Sequence, residues 1–186
     1  MMIRPKFTLT VVASADGYIA RNATDNPVNW ASPEEQSLFF RDVDAAPWAI
    51  MGRNTHVAAD RPDRHRIIFS TTYAGWRRPT QVWIDPRTLT PTDLCDVVHH
   101  RRPMAWGLIL GGTRVHDWFF AHRAIDCVHL SIEPVRFGAG LPIFDGQGGR
   151  NPMAVFEAAG FRQTSQQTLN ANGTLHQIWV RAGPSS

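Results

Sequence analysis

Among the residues of this 186-residue chain, Glu35 stands in surroundings that suit acid chemistry. It lies in "NWASPEEQSLFF", shortly after Trp30 and one helical turn before Phe39. A carboxyl held against aromatic surface is desolvated, its pKa rises, and it can give up a proton near neutral pH. The same letters also spell a capping box, with Ser32 as N-cap, Pro33 as the first helical residue and Glu35 as the third. Both roles fit Glu35, and Glu34 is an adjacent competitor. Trp30 reads either as core or as a wall for a flat ring.

Two glycine turns suit anions. "MGRNT", residues 51–55, leaves an apolar run at Gly52 and presents Arg53, Asn54 and Thr55. Glycine lets a ligand approach the backbone, an arginine forks onto phosphate oxygens, and a threonine hydroxyl donates. The alternative is an ordinary helix start capped by Asn54 or Thr55. "LILGGTRV" ends another apolar run at Gly111-Gly112, the form taken by a phosphate-binding helix N-terminus and equally by a plain strand-to-helix turn. Two such turns in one crevice favour an extended dinucleotide over a single anion. Arg64 in "RPDRHRIIFST" is either a solvated loop arginine or a clamp for an anionic tail.

These residues need elements to hold them. "KFTLTVVAS", "PWAIM", "HRIIFST", "TQVWID", "WGLIL" and "DCVHLSIEPV" read as strands, most of them continuously apolar as in parallel sheets. Helical segments follow Ser32, cover "PTDLCDVVHH" and cover "TRVHDWFFAHR". "GFRQTSQQTL" and "TLHQIWVRA" flank "NANG", which marks a hairpin at Asn172-Gly173. The expected fold is α/β, with a mainly parallel twisted sheet, flanking helices and a C-terminal antiparallel hairpin at one edge, in a single domain over 1–186. Ligands of such sheets bind beyond the carboxyl ends of the strands. That rule gathers the loop after "TLTVVA" and both glycine turns into one crevice.

Composition narrows the class. Hydrophobic residues make up 43% and charged residues 19%, which is globular rather than disordered. No apolar run is long enough to span a bilayer, and the start of the chain lacks a signal-peptide pattern, so a cytoplasmic protein is expected. Net charge is +3 with Lys6 the sole lysine, and the arginines are dispersed, which argues against nucleic acid. Cys95 and Cys127 form no CxxC pair and the eight histidines are scattered, so no metal site is expected.

The pieces, in order, resemble the dihydrofolate reductase superfamily, which includes the reductase domain of riboflavin biosynthesis. "SADGYIA" and "PVRFGAGLPIF" resemble segments of the riboflavin type. "NW…SPEEQSLFF", "MGRNT", "RHRIIFST" and "LILGGTRV" resemble segments of dihydrofolate reductase. The resemblance implies NADPH as hydride donor. It implies that Arg53, Asn54 and Thr55 hold the cofactor phosphates, with Arg53 nearest the 2′-phosphate, and that Ser70 and Thr71 line the adenosine side. Gly111, Gly112, Thr113, Arg114 and Val115 would meet the pyrophosphate and nicotinamide end, with Ala13, Ile19, Gly52 and Leu110 completing the cofactor site. Glu35, Trp30 and Ser131 fall on catalytic positions, and Phe39, Arg64 and Val12 on substrate positions, Arg64 at the carboxylate of folate.

Departures from the family pattern bear on the substrate. His116 stands where dihydrofolate reductases have tyrosine, and the loop before Trp30 is longer. Val43 stands where the riboflavin type has a phosphate-binding arginine, with Arg41 nearby, and Ala59-Asp60 replaces an acidic pair. No deaminase segment precedes the reductase motifs. The expectation is a reductase of a C=N bond in a reduced pterin, dihydrofolate or a dihydromethanopterin-like relative. The alternatives are reduction of a phosphoribosylaminouracil and a non-catalytic nucleotide-binding module. The expected partner is the small-molecule substrate, and a homodimer is compatible with the sequence.

Overall fold

The computed structural model describes residues 4–183. Its centre is a nine-stranded sheet in the order β10-β11-β8-β1-β7-β3-β4-β6-β5. The parallel strands are β1 (Lys6–Ser14), β3 (Trp48–Gly52), β4 (Arg66–Phe69), β6 (Gln81–Ile84), β7 (Trp106–Gly111) and β8 (Cys127–Glu133). The terminal hairpin, β10 (Phe161–Thr168) and β11 (Leu175–Arg181), joins through β11 antiparallel to β8. The expected α/β sheet with its antiparallel hairpin is present. The opposite edge is also antiparallel, because β5 (Gly75–Arg78) pairs back on β6. "GWRR" has no apolar alternation, so this short edge strand left no period in the sequence. A two-stranded sheet of β2 (Tyr18–Ala20) and β9 (Leu141–Pro142) lies apart from the main one.

Alternation along each strand assigns the two faces. Phe7, Leu9, Val11 and Ala13 of β1 enter the main core with Ile50, Ile67, Ile109 and Val128. The helices α3 (Asp93–His99), α4 (Thr113–Ala121) and α5 (Pro152–Ala158) cover this face, and they contribute Leu94, Phe119 and Phe156 to its core. The other face carries Thr10 and Val12 together with a smaller cluster of Ala49, Met51, Ile68 and Trp83. On it lie α1 (Pro33–Ala45), joined through Asp42 to Thr10, and α2 (Arg53–Ala58), whose His56 packs edge-on to Trp83 at 5.3 Å.

On the face that carries α1 and α2, two strands separate. β1 pairs with β7 from Lys6–Trp106 to Leu9–Ile109 and then stops, whereas its pairing with β8 runs on to Ser14–Glu133. The cause lies in β7. Ile50 faces Ile109 but Met51 faces Gly111, so Leu110 is an extra residue, and a bulge of this kind bends its strand. A notch therefore opens between Thr10–Ser14 and the end of β7.

Candidate active site

Both glycine turns sit at the rim of this notch, on neighbouring strands. Gly52 is the N-cap of α2 and Gly112, at φ 47° and ψ 166°, the N-cap of α4, and neither helix has a side-chain cap. Uncapped first-turn amides carry both hydrogen-bond donors and the positive end of the helix dipole. A Cβ on Gly112 would meet no atom within 4 Å. No protein neighbour therefore forbids a side chain there. The backbone conformation does, and the space beyond is open to a ligand. Gly111 differs, because its Cβ would lie 3.0 Å from His116 Nε2. The imidazole of His116 is buried, bonded through Nδ1 to the Ile143 carbonyl at 2.8 Å, and burial lowers its pKa to about 4.

The expected cofactor residues divide into groups. Arg53, Asn54, Thr71 and Arg114 are exposed at the turns, with Thr55 half-buried beside them. Ser70 directly follows β4, with its Oγ 3.2 Å from Thr72 Oγ1. Ala13 is fully buried, Ile19 packs on the core and Leu110 on the smaller cluster. Two expectations change. The Thr113 hydroxyl is spent on the Pro142 carbonyl at 2.6 Å, which ties α4 to β9. Val115 belongs to the core, and its N–H donates to the Gly112 carbonyl at 3.0 Å, so neither its side chain nor its amide is offered outward.

Glu35 resolves its two roles through a residue far along the chain. Ser32 does cap α1, with its Oγ accepting the Glu35 N–H at 3.3 Å. A capping box would have the Glu35 carboxylate accept the Ser32 N–H in return. That N–H donates instead to Glu133 Oε1 at 2.7 Å, while Thr174 Oγ1 donates to Glu133 Oε2, also at 2.7 Å. Glu133 thus closes the cap and leaves the Glu35 side chain free to turn inward, where it is 3% exposed. Burial, helped by the negative charges of Glu133 and Asp42, pushes Glu35 up to about 7, against the stabilising hydroxyl of Ser131.

The remaining expected residues surround α1. Val12 and Ser131 are paired across β1 and β8 on the α1 face, both nearly buried. Trp30 is half-buried and edge-on to Phe137 at 5.0 Å, with its Nε1 buried and without a partner among the described residues. A recess of about 600 Å³ opens beside Trp30, Ser32 and Glu133. Phe39 is half-buried in the middle of the helix. Arg64 lies at the opposite end, in a smaller recess of about 110 Å³ with Val43 and Leu110. Its guanidinium is paired with Asp44 at 2.5 Å, so an anionic tail would have to compete with that carboxylate. Arg64 is thus neither simply solvated nor free.

Several polar residues escaped sequence reasoning. Asp42 is 8% exposed and accepts from Thr10 at 3.0 Å and from His129 Nδ1 at 2.6 Å. Asp42 raises His129 to about 9. Burial opposes the charge on Asp42, but His129 outweighs it and holds that carboxylate below its usual range. Ser131 Oγ lies 3.1 Å from His176 Nδ1. Asp16 accepts from Ser14 Oγ at 2.7 Å and from the amides of Phe137 and Gly138, which fastens "SADG" to "RFGAG". The alternation His129, Ser131, Glu133 on β8 was a usable signal for one polar face. Nothing local pointed to His176.

No family model matches the chain, and no curated protein does. Solved structures do. A protein described as a riboflavin biosynthesis protein, from Shewanella sp. PV-4, superposes with TM-score 0.65 at 16% identity over 96% of this chain and 99% of its own. The diaminohydroxyphosphoribosylaminopyrimidine deaminase/5-amino-6-(5-phosphoribosylamino)uracil reductase of Thermotoga maritima gives 0.71 at 16% identity, over 96% of this chain and 57% of its own. Dihydrofolate reductase from Enterococcus faecalis, complexed with NADP(H) and RAB-propyl, gives 0.67 at 12% identity over 97% and 98%. With a parallel sheet split beside two glycine-capped helices and closed by an antiparallel hairpin, the chain has the dihydrofolate reductase-like fold.

Proposed function

We propose that the protein is an NADPH-dependent reductase acting on the C=N bond of a reduced pterin. The observation that carries this reading is Glu35, a buried carboxyl that is half protonated near neutral pH on the sheet face where β1 and β7 separate. The residues present fit the cofactor. Gly112 leaves open space where a Cβ would stand, two uncapped helix N-termini adjoin it, and the Arg53 side chain is exposed at the far turn. When bound, NADPH supplies the hydride.

The chain's own residues then divide the work. The first-turn amides of α2 and the Thr113 and Arg114 amides of α4 hold the phosphates, and Arg53 selects the 2′-phosphate by a charged fork. Val12 and Phe39 form apolar walls for a flat ring. Glu35 puts a proton on the nitrogen that becomes more basic as its carbon is reduced, directly or through one water. Burial keeps that proton available at neutral pH, and the Ser131 hydroxyl orients the carboxyl. Arg64 receives an anionic tail by exchanging Asp44 for it.

A second reading rests on the Asp16 contacts to Phe137 and Gly138, which join the two riboflavin-type motifs into one support. It makes the substrate a phosphoribosylaminouracil whose ribose is opened to a ribityl chain. The experiment is loss of the reduced-nicotinamide absorbance with a panel of dihydrofolate, a dihydromethanopterin and the aminouracil phosphate. Turnover of a pterin that collapses in Glu35→Gln supports the first reading. Turnover of the aminouracil that survives this substitution supports the second. NADPH binding with no turnover on any substrate overturns both and leaves a nucleotide-binding module.

A further inference from the structure

We propose that the chain forms a two-fold dimer in which β10 pairs with β10 of a second copy, antiparallel about Gln166, and that Arg162 of each copy meets Glu34 of the other. The two edges of the nine-stranded sheet are built differently. β5 is four residues long, carries Arg77 and Arg78, and runs into Pro79. Arg78 is bonded to Asp60 at 2.8 Å, and Arg77 lies over the rings of Tyr73 and Trp83. Shortness, charge and proline are devices by which sheet edges avoid further pairing. β10 has eight residues, no proline, and no charge from Gln163 to Thr168. Every residue of β10 after Phe161 is exposed, so among the described residues neither helix nor loop covers this edge.

The backbone of β10 is set to pair. Leu169 N–H donates inward to the Thr174 carbonyl at 2.8 Å, and at the other end of the hairpin Ala182 N–H donates to the Gly160 carbonyl at 2.9 Å. Bonding alternates along an antiparallel pair, so Ser165 and Gln167 spend their backbone groups on β11, while those of Gln166 and Thr168 point away from it. A bulge at Thr164 interrupts the ladder, with its Oγ1 donating to the Ile178 carbonyl at 3.1 Å. Bulges also discourage pairing, but this one leaves the register from Ser165 to Thr168 unbroken. A two-fold axis through Gln166 joins it to its own copy by two N–H···O=C bonds and sets Ser165 against Gln167 of the second copy.

The side chains make this chain its own best partner. A two-fold lays each strand against an identical one, so a charged edge would repel itself, whereas Gln, Ser and Thr do not. The single charge in β10, Arg162, meets an opposite sign. Arg162 pairs with Val180 and Gln167 with His176, and His176 stands beside Ser131, so both β10 residues point to the α1 face. Arg162 and Asn170 lie equally far from Gln166 along the chain, and the axis therefore sets Arg162 opposite Asn170 of the second copy. Asn170 Nδ2 donates to Glu34 Oε2 at 3.2 Å, which holds an exposed carboxylate beside that position. Symmetry makes two such pairs. Asn170 and Glu34 also line the recess beside Trp30, so Arg162 of the second copy would stand at its rim.

Sedimentation equilibrium of the full chain over a concentration series is the test, and a dimer is expected. Gln166→Pro removes the N–H donor on the axis at an outward position that an edge strand tolerates, and it should leave a folded monomer with an unchanged far-ultraviolet circular dichroism spectrum. Arg162→Glu makes both cross-pairs repulsive and should raise the dimer dissociation constant roughly tenfold at low salt. Adding Glu34→Arg to Arg162→Glu should restore it, which a local effect of either substitution would not do. Should Gln166→Pro not fold, the charge exchange decides alone. A wild-type chain that stays monomeric at every concentration overturns the proposal, and so does a dimer that survives both Gln166→Pro and Arg162→Glu unweakened. None of these measurements involves cofactor or substrate, so failure of the reductase reading leaves the dimer standing.

Discussion

Glu35→Gln separates acid from cap by the sign of its effects. In the proposed reaction the acid form is active, so the rate should fall as pH rises through about 7. The glutamine should lose on the order of 10²-fold in turnover at neutral pH and less in acid, where solvent protonates the substrate. Stability should move the other way. The folded pKa of Glu35 is raised, so its contribution is full below 4.5 and lost as pH rises through about 7. The gap is on the order of 3 kcal/mol, which Gln does not lose. Thermal melts should therefore show Glu35→Gln gaining on wild type between pH 4.5 and 8. A cap residue would give the reverse, with lower stability at every pH and intact turnover. Gly112 makes a second residue-scale case. A Cβ at Gly112 meets no neighbour, so Gly112→Val is expected to cost mainly backbone strain, about 1–3 kcal/mol, and the chain should stay folded. Its side chain would occupy the space beside the α4 amides, and titration should find NADPH binding abolished. Unchanged affinity would make the glycine a turn residue only.

At the scale of elements, α1 and α2 are built differently from the helices across the sheet. α3, α4 and α5 bury Leu94, Phe119 and Phe156, at roughly 1.5–3 kcal/mol for each such side chain. The buried residues of α1 are Glu35 and Asp42, while Leu38 and Phe39 are half-buried and Phe40 is 47% exposed. This helix rests on hydrogen bonds and an ion pair, with part of its apolar surface uncovered, where the proposed substrate would lie. Helices with little apolar burial open more easily. Amide exchange should be faster in α1 than in β1 and β8, and NADPH with substrate should slow it. Equal protection without ligand would contradict this account of α1. On α2, Arg53 is exposed at the first helical position. Arg53→Ala should weaken NADPH by about 1.5–3 kcal/mol, the size of a charge-assisted hydrogen bond, and NADH far less. Equal losses for the two cofactors would remove the 2′-phosphate from its role.

At the scale of the whole molecule, the histidines shape stability against pH. His129 is raised to about 9, so its contribution is complete below 6.5 and is lost as pH rises through about 9. His116 is lowered to about 4 by burial, so its contribution is present above 6.5 and is lost as pH falls toward 4. Together they place the maximum near neutral pH with a limb on each side. His129→Gln should flatten the alkaline limb of a melting-temperature profile, and His116→Gln the acid limb. An alkaline limb unchanged in His129→Gln would mean that the Asp42 pair contributes nothing to folding.

Much of this was legible in the residue order. Apolar runs ending in glycine marked β3 and β7, Asn172-Gly173 marked the terminal hairpin, and Ser32-Pro33 marked the start of α1, because strand period, turn conformation and capping are set by near neighbours. Glu35 and Ser131 could be singled out, but whether Glu35 capped its helix or faced inward could not. That choice belongs to Glu133, which takes the Ser32 N–H across a separation of 101 residues. The same holds for Arg64 with Asp44, for His176 with Ser131 and for Thr113 with Pro142, whose partners come from other elements. The notch between β1 and β7 arises from a one-residue bulge at Leu110 that no local preference announces. Sequence determined which residues were able to do chemistry, since that depends on side-chain type and short-range geometry. Tertiary structure decided which polar groups were already satisfied and which remained free, because a buried hydrogen-bonding group takes its partner from whatever segment the fold brings beside it.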